Sequence, residues 1–261
     1  MPSEFSCLTV NVEDSVAHIR LIKPDVHNRF DDALHSEFPR ALAQVAQDQQ
    51  PAALVISSEG KSFSAGGNLD GVLVANRSLE VRERLRREAL SIINELVNMP
   101  IPVITAVQGA AIGLGASVVT CSDIIVAWKD AKIADPHVKL GLVAGDGGIL
   151  GWSQGMGVMR AKRYLLTGDA ITGAEAHAMG LVSDIVENPE DALPAAMALA
   201  GQIAALPRGG VRGTKRAFAR ITRNLYGAAF ELSLAYEMET LAGEEVRETI
   251  EKLTGGKHKI A

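Results

Sequence analysis

Three short apolar runs constrain this chain most. Ala52 to Ser57 (AALVIS), Val103 to Val107 (VITAV) and Asp123 to Trp128 (DIIVAW) have the length and content of buried strands, and segments of helical periodicity lie between them. Strands alternating with helices predict an α/β chain. The strands are short and punctuated by glycine, unlike those of a regular doubly wound sheet.

The flanking segments extend this pattern. Leu8 to Val12 and Val16 to Ile22 are rich in β-formers and separated by Glu13-Asp14-Ser15, which reads as a hairpin. Asp31 and Asp32 open a helix whose apolar residues recur from Ala33 to Val45, and Pro51 prevents its continuation. A long helix is expected from about Leu79 to Asn98, with Leu85, Leu90, Ile93 and Val97 on one face. After Pro194 the strand signals vanish. Helices from about Ala195 to Leu206, Val211 to Leu241 and Glu244 to Leu253 follow, so 1–200 is expected to form the core and 201–261 a helical C-terminal region. In the longest of these, Phe218, Ile221, Leu225, Leu232 and Leu241 suit packing on the core or on another subunit.

Composition excludes some functions. The 261 residues are 47% hydrophobic, enough for a sizeable core, and the formal net charge of -5 gives no basic field for nucleic acid. Cys7 and Cys121 provide no disulfide framework and no zinc spacing. The start lacks a basic region followed by an apolar stretch, and no apolar run reaches membrane-spanning length, so a cytoplasmic location without a membrane partner is the expectation. His18, His27, His35, His177 and His258 have no spaced carboxylate or histidine partner, and no metal is expected.

Two glycine clusters carry the chemical signal. Ser62-Phe63-Ser64-Ala65-Gly66-Gly67-Asn68-Leu69-Asp70 follows the AALVIS strand, where consecutive glycines let the backbone turn sharply against a ligand. Gly109 to Ser117 (GAAIGLGAS) follows VITAV and leads into an apolar helix. Each could donate one amide to a single carbonyl oxygen, and loss of one such donor typically costs about 100-fold to 1000-fold in rate. No G-x-G-x-x-G opens a helix after the first strand, and no G-x-S-x-G nucleophile elbow occurs.

These clusters, with Leu166-Thr167-Gly168, Ala174-Glu175-Ala176 and Met179-Gly180-Leu181-Val182 in order, resemble the crotonase (enoyl-CoA hydratase/isomerase) superfamily over nearly the whole chain. The resemblance implies an α/β spiral of ββα units with a helical C-terminal trimerisation region, assembled as a homotrimer or homohexamer. It implies an acyl-CoA substrate, with coenzyme A present as part of that substrate and no permanently bound cofactor. Carried over by position, the oxyanion donors are the amides of Gly67 and Leu114. Asn28, Ala65, Gly66, Asn68 and Leu69 line the coenzyme A pocket, and Lys252 reaches its phosphates.

The chain departs from the family pattern at the catalytic glutamates. Hydratases of the family carry one glutamate in the helix after the second glycine cluster and another in the next strand-loop, where this chain has Ser117 and His137. A glycine-rich turn, Gly141 to Gly148, can fold Asp146 back to orient His137 as a general base. A similar His with an Asp nine residues later occurs in the superfamily's carbon-carbon hydrolases resembling 6-oxocamphor hydrolase, and Glu237 aligns with a glutamate of that relative.

Three functions follow. The first is a hydratase- or lyase-like enzyme holding an acyl-CoA enolate on Gly67 and Leu114. The second is a retro-Claisen hydrolase of β-diketones using His137 and Asp146. The third is a non-catalytic acyl-CoA-binding subunit.

Overall fold

A computed structural model describes residues 5–254; His258 and the outermost ends of the two expected regions lie outside them. Ten strands occur among the described residues: β1 (Leu8–Glu13), β2 (Val16–Leu21), β3 (Ala53–Ser58), β4 (Ser62–Ser64), β5 (Val103–Val107), β6 (Ala110–Ile112), β7 (Ile124–Trp128), β8 (Lys132–Ala134), β9 (Ile171–Thr172) and β10 (Asp184–Val186). They form a six-stranded sheet ordered β1-β2-β3-β5-β7-β10 and a four-stranded sheet ordered β4-β6-β8-β9. The hairpin β1-β2 is antiparallel, and Asp14 and Ser15 both take positive φ at its two-residue turn.

From β3 onward one unit recurs: a strand in the large sheet, a short strand in the small sheet, then helix. The hairpin is followed by α1 (Asp32–Gln47), and β3 and β4 are followed by α2 (Leu69–Arg77) and α3 (Leu79–Asn98). β5 and β6 lead to α4 (Leu114–Thr120), and β7 and β8 lead through a 3-10 turn (His137–Leu140) to α5 (Gly148–Met156) and α6 (Val158–Leu165). The successive large-sheet strands from β2 to β10 pair in parallel, as do β4, β6 and β8.

The apolar runs are continuous because the large sheet is covered on both faces. Leu54 and Ile56 of β3 point into the main core with Phe38, Leu42, Ile92 and Leu96, while Ala53 and Val55 face a second cluster. There α8 (Ala192–Ala204), which follows α7 (Gly173–Ala178), presents Ala192, Ala196 and Ala200, small residues at helical spacing that let it lie close to the sheet. The sequence places helix α1 well: Asp31 is its N-cap and accepts from the Leu34 amide at 3.2 Å.

The long C-terminal helix α9 (Arg208–Leu241) crosses the core against α3 and α5 and is followed by α10 (Glu244–Leu253). Of the five apolar residues singled out on it, Leu241 is buried and Phe218, Ile221, Leu225 and Leu232 are exposed. No helix of the described residues is long and apolar enough to cross a membrane.

One expectation needs correction. Gly109 to Gly115 does not lead directly from strand to helix, because Ala110–Ile112 pairs with β4 and β8 before the chain turns at Gly113. Pairing on both sides decides this, and three residues carry no periodicity from which to read it.

Candidate active site

The site is built where the small sheet meets the helices. β4 ends at Ser64, and the chain then turns at Gly66, which has φ +78° and packs so tightly that an added Cβ would lie 2.5 Å from the Ile112 carbonyl oxygen. Both ends of Gly66 are committed: its amide donates to Ser64 Oγ at 3.2 Å and its carbonyl accepts from Phe30 N at 2.8 Å. The adjacent Gly67 has open space around its Cα, with nothing within 4 Å of the point where a Cβ would stand.

The second turn is at Gly113, with φ +53°, whose amide donates to the Ala134 carbonyl at 2.9 Å. Leu114 then heads α4, and the first bond of that helix runs from Ser117 N to Gly113 O, so the Leu114 amide precedes the helical ladder. Gly115 lets α4 approach β4, since a Cβ there would lie 2.7 Å from that of Ser64. The two turns and the 3-10 turn converge: a Cβ built on Gly113 would stand 3.7 Å from His137 Cε1 and 3.8 Å from Gly66 Cα.

A cavity of about 290 Å³ opens at this point, lined on its polar side by Gly66, Gly67, Gly113 and His137 and on its apolar side by Leu69, Val72, Ile112, Leu140 and Leu142. Gly67 also lines a neighbouring cavity of about 520 Å³, together with Arg29, Phe30, Asn68 and residues of α1, α2 and α3. An elongated ligand whose reacting atom sits at Gly67 has room on both sides of it.

His137 is surrounded by carboxylates. Its Nδ1 lies 2.5 Å from Asp135 Oδ1, and its Nε2 lies 3.6 Å from Asp146 Oδ2. Asp135 is 1% exposed and Asp146 5%. Ser117 Oγ donates to the other Asp146 oxygen at 2.8 Å, which turns Oδ2 toward His137. Glu237 reaches the same region from α9; it is buried, and its Oε2 has no hydrogen-bond partner among the described residues, as is true of Asp135 Oδ2. α9 comes close because Gly145 lacks a Cβ, which would meet the Ser233 carbonyl at 2.4 Å and Glu237 Cβ at 2.8 Å.

The electrostatics follow from burial and crowding. Burial alone would push the His137 pKa down, but Asp135, Asp146 and Glu237 together hold it well above the ordinary histidine value. Burial pushes the Glu237 carboxyl well up, and the Asp146 charge adds to this against the opposing pull of His137. Asp146 is also raised, by burial and by Asp135, against the pull of His137 and Ser117. Relative to the free side chains, the surroundings thus favour the charged form of the His137 ring and the protonated form of Glu237 and Asp146. Asp135, His137 and Asp146 also bring candidate metal-ligand atoms within 4.8 Å of one another, and His137 Nδ1 and Asp135 Oδ1 are already in contact with each other.

The structure brings His137, Asp146, Gly67, Leu114 and Glu237 to one region, and Ala65, Gly66 and Leu69 line the cavity there. Asn68 caps α2 through its side chain and lines the adjoining cavity. Asn28 is placed differently from the expectation: it is buried with φ +49°, and its side chain is spent on Lys23 N, Glu59 O and Ser62 O, so it braces the loop under β4. Lys252 stands on α10 with its side chain largely exposed, 3.8 Å from Glu248, and lines neither cavity.

The expected part of Asp146 as the group orienting His137 also needs correction. Asp146 faces Nε2 at a distance too long for a hydrogen bond, and Asp135 holds the other nitrogen. The readable signal for Asp135 was its position two residues before the histidine, since an Asp side chain readily bonds the backbone two residues on; here its Oδ1 also accepts from His137 N at 3.3 Å.

Comparison with known proteins agrees with this architecture. The family model described as enoyl-CoA hydratase/isomerase matches residues 11–255. A crotonyl-CoA hydratase from Syntrophomonas wolfei is 33% identical over 209 residues, 78% of each chain. The crystal structure of an enoyl-CoA hydratase/isomerase from Mycobacterium paratuberculosis superposes with a TM-score of 0.91 at 32% identity, covering 95% of this chain and 99% of that one. A β-diketone hydrolase from the cyanobacterium Anabaena shares the fold, with a TM-score of 0.82 at 23% identity over 92% of this chain and 95% of that one.

Proposed function

Because the chain belongs to the enoyl-CoA hydratase/isomerase family, we propose that it moves protons on an acyl-CoA thioester through an enolate held by the amides of Gly67 and Leu114. The observation that carries this reading is the convergence of the two glycine turns and the His137 ring within 4 Å of one point at the cavity wall. An amide pair there stabilises negative charge as it develops on the thioester oxygen.

His137 Nε2 and Asp146 Oδ2 are the two proton-handling atoms facing each other. In isomerisation one takes a proton from a carbon conjugated with the thioester and the other returns a proton at a second carbon; in hydration one takes a proton from water as its oxygen adds to the β-carbon and the other delivers a proton to the α-carbon. Ser117, too short to act itself, holds the Asp146 carboxylate in place. This pair stands in for the two glutamates absent from the sequence and supports hydratase- or isomerase-like chemistry. The exposed Phe218, Ile221, Leu225 and Leu232 on α9 suit assembly as a homotrimer or a dimer of trimers.

The second reading is hydrolysis of a β-diketone. In it His137 takes a proton from water, the hydroxide adds to one carbonyl, and the carbon-carbon bond breaks to leave an enolate on the same amides. The fold shared with the Anabaena hydrolase and the histidine-carboxylate pairing favour it. Retention of Ala65-Gly66-Gly67 at the cavity favours the thioester.

The test is mass-spectrometric turnover of enoyl-CoA, β-ketoacyl-CoA and free β-diketone substrates by wild type beside His137→Ala. Thioester turnover lost in the variant is expected. Turnover of the free diketone alone moves the enzyme to the second reading, and binding of a coenzyme A ester without turnover of any substrate moves it to a non-catalytic binding role.

A further inference from the structure

Nδ1 of His137 and Oδ1 of Asp135 lie 2.5 Å apart inside the protein, with Asp135 1% exposed. The contact is built in from several sides. Asp135 Oδ1 also accepts from the His137 backbone amide at 3.3 Å, which ties the carboxylate to the start of the 3-10 turn. Gly148, the first residue of α5, is packed against the other carboxylate oxygen so closely that a Cβ there would lie 2.2 Å from Oδ2. A carboxylate confined in this way accepts a hydrogen bond from Nδ1–H in one geometry and leaves the ring little freedom to turn.

We propose that Asp135 is the positioning residue of this site: by taking the Nδ1 proton of His137 in a hydrogen bond it makes Nε2 the nitrogen that exchanges protons with the ligand. The role rests on the reading of His137 as the proton-transfer group. It reassigns the carboxylates. Asp135 sets the ring's orientation and tautomer, and Asp146, 3.6 Å from Nε2 and held by Ser117, is free of that task. The proton balance is simple. When Nε2 accepts a proton from carbon or water the ring becomes an imidazolium with Nδ1–H still on Asp135, and when it donates, the neutral ring keeps its proton on Nδ1.

The charged groups acting on the ring are Asp135, Asp146 and Glu237. Removing the Asp135 charge removes the partner that stabilises the imidazolium most directly, so the ring should titrate at lower pH in Asp135→Asn. A merely structural role for Asp135 does not require that shift to track activity.

The test uses nitrogen-15 NMR of the ligand-free full chain with labelled histidine, assigned by comparison with His137→Gln. In wild type, the neutral His137 ring is expected to carry its proton on Nδ1. In Asp135→Asn its titration midpoint should fall by about one unit or more, and the acid-side limb of the kcat profile should move with it. Turnover should fall by about 100-fold or more with KM changed only a few-fold. A neutral ring protonated on Nε2 in wild type overturns the proposal without needing the variant to fold, as does an unchanged midpoint in a folded variant. If the NMR results hold while no thioester turns over, the assigned reaction fails and the positioning role stands.

Discussion

Gly148→Ala probes the arrangement around His137 without touching any proton-transfer group. Gly148 has an ordinary helical backbone, so the substitution is not resisted by φ, and at the head of α5 alanine is intrinsically favoured by up to about 1 kcal/mol. The obstacle is one atom. The new Cβ would lie 2.2 Å from Asp135 Oδ2, whereas ordinary contact begins near 3.4 Å, so the carboxylate must retreat by about 1.2 Å. Such a retreat stretches the 2.5 Å contact with His137 Nδ1 toward the limit of hydrogen bonding. Overpacking typically costs about 1–3 kcal/mol, and weakening a hydrogen bond to a charged group adds about 1.5–3 kcal/mol, so a destabilisation of about 3 kcal/mol is expected. The other neighbours, Asp135 Cγ at 3.3 Å and Ala144 Cβ at 3.4 Å, add little. Urea denaturation of a double-mutant cycle isolates the contact. In an Asp135→Ala background both carboxylate contacts are gone, and Gly148→Ala should be neutral or slightly stabilising. Equal costs in the two backgrounds would refute the geometry.

Further outcomes follow from the same site. Glu237 has a raised pKa when folded, so the unfolded chain ionises near pH 4.5 while the folded protein retains the proton, and stability falls as pH rises from there toward the folded pKa. Glu237→Gln should therefore match wild type near pH 4 and melt higher at pH 7, by about 2–4 °C for each kcal/mol, in thermal scans. His137 has a raised pKa too, and as a base its charged form is the one favoured by folding: the stability it gives is complete below about pH 6.5 and is lost as pH rises through the folded value, so in thermal scans His137→Gln should flatten that decline. Ser117→Ala removes the donor to Asp146 Oδ1 and should cost about 1–3 kcal/mol in urea denaturation, with reduced turnover. Gly67→Ala, whose Cβ meets no protein atom, should retain folding but lower turnover because it lines the cavity that receives the reacting atom, whereas Gly66→Ala should be poorly tolerated in both assays because of its positive φ and the Ile112 carbonyl.

Much of the fold was legible where an element is long or fully buried. VITAV and Leu79–Asn98 form the elements their periodicity predicts, because burial on both faces or on one stripe leaves a clear pattern. Ser62–Ser64 and Ala110–Ile112 did not read as strands, since three residues become strands only by pairing with neighbours supplied elsewhere in the chain. The glycine turns were legible because positive φ and close backbone approach demand that residue. The direction of the carboxylates was not. Whether Asp135 or Asp146 meets Nδ1 depends on how the 3-10 turn, α4 and α5 pack, and Glu237 enters from a helix about a hundred residues further along. Asn28 was read as part of the ligand-binding loop, yet its side-chain amide is consumed by three backbone groups that only the folded loop brings together.

The central claim is that a thioester enolate forms at Gly67 and Leu114 with His137 moving the proton. Deuterium incorporation beside the carbonyl of saturated and unsaturated acyl-CoA esters in heavy water, followed by mass spectrometry, tests this whatever the product of the full reaction. Wild type should catalyse exchange on at least one thioester, and His137→Gln should lose it by about 100-fold or more. Exchange that is absent from every thioester, or that proceeds unchanged in the variant, would contradict the account.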